Sequence, residues 1–355
     1  MPPSTPRHDN AFDALRLLGA VLVIIGHAYV LMARPAEAPE LLGIPVHVLG
    51  VSIFFSISGY LIWGSWHRNR SLVDYFSARI LRILPALVVA VILTAFVVGP
   101  IVSTLSASAY FADPGAYAYL RNIVLFLPDY HLPGVFQILP YPDVVNGSLW
   151  TLRVEFGCYI LVPLVGFLPR VARAPVIGVL TLCAALLGST GQAVEFGGSN
   201  LSAAAAMCAF FGVGALARML RETGLQLFRP WAAVFAGGLW WLAYAVSPQA
   251  GTAASWLALP YIVLTIGTWP LPVVRRAARY GDLSYGMYLW AFPLQQAAIQ
   301  YLGWESVWAN ILLVALAAAL LALPSWHLVE KTALAQRYRP GRWLSSLGAR
   351  SPRPL

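Results

Sequence analysis

FDALRLLGAVLVIIGHAYVLMA, running from Phe12 to Ala33, decides how the rest of the chain is read. As a helix rising about 1.5 Å per residue, it is long enough to cross a hydrocarbon core roughly 30 Å thick. It also carries Asp13, Arg16 and His27, residues that lipid does not tolerate. A charged side chain at the centre of a membrane helix costs about 2.5 kcal/mol or more, so it faces a protein interior or a wet cavity. The rotation from Arg16 to His27 is about 1100°, close to three turns, which places both on one face roughly 16 Å apart. Arg16 lies close enough to the helix end to snorkel to the interface. An apolar helix gains nothing from an imidazole without a partner, so His27 directs attention to the other segments.

Those segments are also apolar. Hydrophobic residues make up 59% of the 355-residue chain and charged residues 10%, with a mean hydropathy of +0.71. Soluble domains carry about 25% charged residues, so the composition is that of an integral membrane protein. The expected fold is all-α, a polytopic bundle of about ten transmembrane helices. The segments fall near 12–33, 46–66, 80–105, 149–168, 174–190, 201–218, 231–247, 252–270, 283–303 and 307–329. The organisation is a tail over 1–11, one membrane domain over 12–330 and a basic tail over 331–355. The N-terminal tail is too short and polar for a cleaved leader. The net charge of +9 is not a nucleic-acid footprint, because the arginines sit in short loops between apolar runs. Arg68, Arg70, Arg79, Arg82, Arg170, Arg173, Arg218, Arg221, Arg229, Arg275, Arg276 and Arg279 fall on one side; Glu37, Glu40, Asp113, Asp129, Asp143, Glu195 and Glu305 fall on the other. By the positive-inside rule both termini are cytoplasmic. Cys158, Cys183 and Cys208 lie in apolar segments without metal-ligand spacing, and no metal site is expected.

The long non-cytoplasmic connection over 106–148 holds Pro128, Pro133, Pro140 and Pro142, which forbid a continuous helix. Its Ile123–Leu127 run reads as a short re-entrant or interfacial helix. Long connections of this kind often form lids or walls of a site.

Three further stretches carry chemistry. In FFSISGYLI (54–62), Ser52, Ser56 and Gly59 follow at i, i+4 and i+7, a small-residue face on which another helix can approach closely. In the loop read as following the second segment, RILRILP (79–85), Arg79 and Arg82 share a face. As an arginine pair they suit either topology or forked binding of phosphate. In NGSLWTLRVEFGCY (146–159), Glu155 sits inside an apolar helix and needs a partner. A carboxylate beside an imidazole orients the ring, so His27 is one candidate, and Arg153 the other.

These stretches, in order and followed by LSYGMYLW (283–290), resemble the membrane acyltransferase type 3 family, in the form that decorates bacterial exopolysaccharides or lipopolysaccharides. The resemblance implies an O-acetyltransferase of the bacterial cytoplasmic (inner) membrane. Its donor substrate is acyl-coenzyme A, and its acceptor is the hydroxyl of a carbohydrate or lipid-linked glycan. It implies no bound cofactor, no nucleic acid, contact with the bilayer, and polysaccharide-assembly proteins as candidate partners. His27, Glu155 and Arg16 then become the catalytic set, with Glu155 holding the imidazole, and Arg79 and Arg82 the acyl-donor site. Asp13, Phe55, Ser58, Gly59, Asn146, Trp150, Tyr159 and Tyr288 line or brace the pocket. Where relatives often have histidine after Tyr-Leu-Trp, this chain has Ala291. No fused extracytoplasmic hydrolase-like domain is expected. His327 and Glu330 suit anchoring the end of the last helix and reacting equally well, and stand outside the catalytic set. Without the resemblance, a secondary transporter using Arg16, His27 and Glu155 as an ion pathway reads equally well.

Overall fold

The computed structural model describes residues 11–191, 200–269, 281–303 and 306–337. Ten long helices dominate: α1 (Phe12–Leu31), α2 (Val46–Arg68), α3 (Leu72–Leu93), α4 (Trp150–Gly166), α5 (Arg170–Ser189), α6 (Leu201–Glu222), α7 (Pro230–Val246), α8 (Pro248–Thr268), α9 (Ser284–Leu302) and α10 (Val307–Pro324). Each corresponds to one expected segment. Eight are both long and apolar enough to cross a membrane. The helix α7 is apolar but shorter, and α9 carries Gln295, Gln296 and Gln300. Gln295 and Gln296 are fully buried in the bundle, and Gln300 donates to the Val102 carbonyl at 2.8 Å. The only sheet among the described residues is a two-residue hairpin, Glu40–Leu41 against Ile44–Pro45, which closes the connection between α1 and α2. Its turn residues, Leu42 and Gly43, both have positive φ, as a tight I′ turn requires.

The helix α3 begins at Leu72 rather than near residue 80. Ser71 caps it by accepting the Asp74 amide at 3.2 Å, and Asp74 adds negative charge to its first turn. Arg79 and Arg82 are therefore helical residues, not loop residues. Beyond Leu93 the chain keeps winding through a widened π turn, Thr94–Val98, into Gly99–Val102. The helix α10 likewise continues through a π turn, Ser325–Glu330, to Leu334.

In the middle of the bundle, α2 packs against α1, α4, α6 and α8. The expected small-residue face is where it meets α6. A methyl group at Gly59 would come within 1.9 Å of the Phe211 carbonyl oxygen on α6. Gly59→Ala is accordingly expected to separate the two helices and cost about 1–3 kcal/mol, seen as a lower unfolding temperature of the detergent-solubilised protein. At the periphery, α5 and α7 present Val179, Leu182, Leu186, Val234 and Phe235 outward, as lipid-facing helices do. Cys158 on α4 and Cys208 on α6 are free thiols whose sulfurs lie 3.7 Å apart.

The long connection is ordered by its own polar contacts. Two short helices, Ala107–Ala112 and Pro114–Ala118, lead into a 3₁₀ turn over Tyr119–Val124. The expected helix over Ile123–Leu127 does not form. Leu125 takes φ 64°, a left-handed value that ends the winding, and Pro128 follows. Asn122 holds the bend by donating to the Tyr119 and Asp129 carbonyls. The far end of the loop is fastened to α9, where Gln296 donates to the carbonyls of Tyr141 and Val144 at 2.7 and 3.1 Å. Arg275, Arg276, Arg279, Glu195, Glu305 and the tail beyond Arg337 lie outside the described residues.

Candidate active site

At the end of the bundle that holds the start of α1, the end of α2 and the start of α3, a cavity of about 460 Å³ opens. Five of its lining residues are arginines: Arg16, Arg68, Arg79, Arg82 and Arg337. Four acids answer them, with Asp13, Glu155 and Asp282 on its wall and Glu330 buried just behind. Phe55, Ser58, Tyr159 and Tyr288 complete the expected set that the fold gathers here.

The charges around Asp282 are paired rather than free. Arg16 bonds Asp13 one turn earlier at 3.2 Å and lies 4.0 Å from Asp282. Arg82 donates to Asp282 and lies 3.5 Å from Glu330, with its guanidinium 5.7 Å from the Tyr285 ring centre. Asp282 is thus the hub of this end of the site, joining α1, α3 and the entry to α9, and it also accepts from the Ser284 hydroxyl. Burial pushes the Asp282 carboxyl up, but the guanidinium of Arg82, followed by that of Arg16, outweighs it and holds the group below its ordinary value. Arg79 folds back on its own helix, donating to the Tyr75 carbonyl at 3.0 Å and lying 4.0 Å over the Tyr75 ring.

Glu155 sits deeper. Its carboxylate accepts from the Ser58 hydroxyl at 2.6 Å and from the Tyr159 hydroxyl one turn along α4. Beyond it, Thr151 and Tyr288 share a hydrogen bond, Tyr288 donates to the Ser148 carbonyl at 2.9 Å, and Asn146 donates to the Leu289 carbonyl at 2.9 Å. A file of polar groups therefore leads from the charged cavity toward the long loop. Of the other expected residues, Gly59 serves the α2–α6 crossing, and Trp150 packs partly buried against the core away from the cavity wall.

His27 is not in this cavity, and here the sequence reading is corrected. It lies three turns further along α1, and Glu155 does not hold it. The Glu155 bonds go to Ser58 and Tyr159, because α2 and α4 meet closer to the arginine end than the level of His27. The ring neighbours of His27 are instead His47, on the first turn of α2, and Phe292 on α9, with centroids 5.7 and 5.4 Å away. Nδ1 of His27 and Nδ1 of His47 are both buried with no hydrogen-bond partner among the described residues. Gly26 makes this proximity possible, since a methyl group there would lie 2.6 Å from the His47 Cβ and 2.8 Å from its backbone nitrogen. The loop forms the roof, where Tyr141 stacks edge-on against Phe292 at 6.3 Å.

Two residues here, Asp282 and His47, were missed in the sequence, and a third, Glu330, was named there but left outside the catalytic set. Asp282 stands directly before LSYGMYLW, and an acid next to a motif was the available signal. Glu330 is buried and bonded by Ser325 at 3.0 Å while facing Arg82, which ties the last helix to the charged cluster. His47 opens an apolar segment, where an imidazole reads as interfacial. No cluster of three or more metal-ligand side chains occurs among the described residues.

Comparison with known proteins identifies the family. The profile of the acyltransferase type 3 family, described as an acyltransferase domain, matches residues 9–329. An O-acetyl transferase of Shigella phage Sf6 is 32% identical over 335 residues, covering 91% of this chain and 95% of that protein. Nodulation protein 10 of Rhizobium leguminosarum bv. viciae is 30% identical over 361 residues, covering 93% and 94%. No solved structure matches. Matched along nearly its whole length and built as a multi-pass bundle of membrane helices, the chain belongs to the acyltransferase type 3 family and is a membrane acyltransferase.

Proposed function

We propose that the chain transfers an acetyl group from acetyl-coenzyme A to a hydroxyl of a carbohydrate or lipid-linked glycan at the outer side of a bacterial cytoplasmic (inner) membrane. One observation carries this reading: α1 holds Arg16 in a charged cavity at one end and His27 beneath the long loop at the other. The positive-inside rule sets the arginine end in the cytoplasm, where acyl-coenzyme A is made. The phage relative, an O-acetyl transferase, supports acetyl as the group transferred.

In this reading the coenzyme phosphates meet the guanidinium groups of the cavity, whose carboxylate partners fix their orientation before the donor arrives. The acyl end extends along the file of Ser58, Thr151 and Tyr288 toward His27. A sugar hydroxyl is a weak nucleophile near neutral pH and needs a base within hydrogen-bond reach. His27 takes the hydroxyl proton as the oxygen attacks the thioester carbonyl. The C–S bond then breaks, and the imidazolium returns the proton to the leaving sulfur. Polysaccharide-assembly proteins would deliver the acceptor.

The test uses inside-out membrane vesicles loaded with a crude glycan fraction and given radiolabelled acetyl-coenzyme A outside. Alkali-labile label in the enclosed glycan, dependent on this protein, is the expected result. Protein-dependent uptake of label without ester would overturn the reading in favour of transport.

A further inference from the structure

We propose that His47 is a second functional histidine of the transfer centre, an N–H donor to the oxyanion that forms while His27 acts as base. The inference rests on the reading of His27 given above and deepens it.

The transfer needs two groups at one place. One removes the hydroxyl proton, and another stabilises the negative oxygen of the tetrahedral intermediate. Arg16 is the cation of the expected catalytic set. It lies roughly 16 Å down α1 from His27 and is bonded to Asp13, so it does not reach. Among the titratable side chains, His47 is the one whose ring meets that of His27, at 5.7 Å between centroids and 36° between planes. In both rings the buried, unpaired nitrogen is Nδ1, so the Nε2 edge is the one left to meet a substrate. A neutral imidazole accepts at one nitrogen and donates at the other, so two adjacent rings supply an acceptor and a donor side by side.

The local packing argues against a purely structural role. Two imidazoles with unpaired buried nitrogens, set against the edge of Phe292, are a poor way to join helices. Yet the chain keeps them together with a glycine at position 26, where any side chain would push His47 away. The short hairpin between α1 and α2 fixes the same approach from the other side. The atoms balance without further reagents. His27 moves the proton from hydroxyl oxygen to sulfur, and His47 lends its hydrogen bond to the carbonyl oxygen and keeps its proton throughout.

The experiment compares native protein, His47→Leu, His47→Gln and His27→Ala in vesicles with acetyl-coenzyme A and the crude glycan fraction. Leucine fills the space but has no donor, whereas glutamine keeps an N–H near the Nε2 position. The expected result is a drop in kcat of about 100-fold for His47→Leu, the scale of losing one oxyanion donor, with KM for acetyl-coenzyme A unchanged. His47→Gln recovers at least about 10-fold of that loss. Native turnover in His47→Leu overturns the proposal, and so does a folded His47→Gln no more active than His47→Leu. If His47→Leu is fully active while His27→Ala is dead, only this proposal fails. If both variants are fully active, the assignment of His27 as base fails with it.

Discussion

With His27 replaced by alanine, ester formation falls by about 10³-fold, within the range expected for losing a positioned general base. Stability changes little. The imidazole makes no hydrogen bond through Nδ1, and truncation removes only ring contacts with His47 and Phe292. The combination is diagnostic, because most inactivating changes in a membrane helix act by unfolding it. Alkali-labile label in glycan and the unfolding temperature, measured on the same preparation, check both halves. A variant that melts well below the native protein would move His27 into the scaffold.

Asp282→Ala is expected to do the reverse, with the larger effect on stability. Its carboxylate joins Arg82 and Arg16 at a site 10% exposed, so its loss leaves two guanidinium groups without their shared partner. Removing one member of a buried ion pair costs about 3–5 kcal/mol. The pH dependence follows from the lowered value of Asp282. A group held below its ordinary carboxylate value contributes stability that is fully present above that value, near 3.8, and is lost as pH falls through the lower native one. Comparing the thermal unfolding of native and Asp282→Asn protein should thus show a constant gap near neutral pH that narrows only in strong acid. A gap that changes around pH 6 would assign the effect to another group.

The fold was legible because lipid imposes one rule on every segment: each backbone polar group must be satisfied within a helix. All ten segments could be found from apolar length alone. The beginning of α3 was lost because Tyr75-Phe76-Ser77-Ala78-Arg79 is polar enough to read as loop, whereas the Ser71 cap starts the helix earlier. The cavity residues Arg16, Arg79, Arg82 and Glu155 were also legible, as charges where apolar residues belong. Their partners were not. Sequence order says nothing of which helix lies beside which, so Glu155 was given to His27 when Ser58 and Tyr159 are its neighbours. The transporter alternative rested on a single charged path through Arg16, Glu155 and His27. The structure separates that set between a charged cavity and a histidine pair, and the family match assigns transfer chemistry.

The π turn at Thr94–Val98 changes how the loop end of the bundle should be engineered. Its wider winding presents the Ala95 carbonyl to the Tyr110 hydroxyl at 2.7 Å, and it sets the phase of the last turn, where the carbonyls of Ile101 and Val102 accept from Tyr301 and Gln300. Substitutions within it leave that phase intact. One residue added in the ordinary turn beyond it, Gly99–Val102, would turn the chain after it by about 100°. The two carbonyls would swing away from α9, and with them the base of the loop that roofs the histidines. In this protein the reading frame of one helix, more than the identity of its side chains, keeps the roof aligned with the histidine pair beneath it.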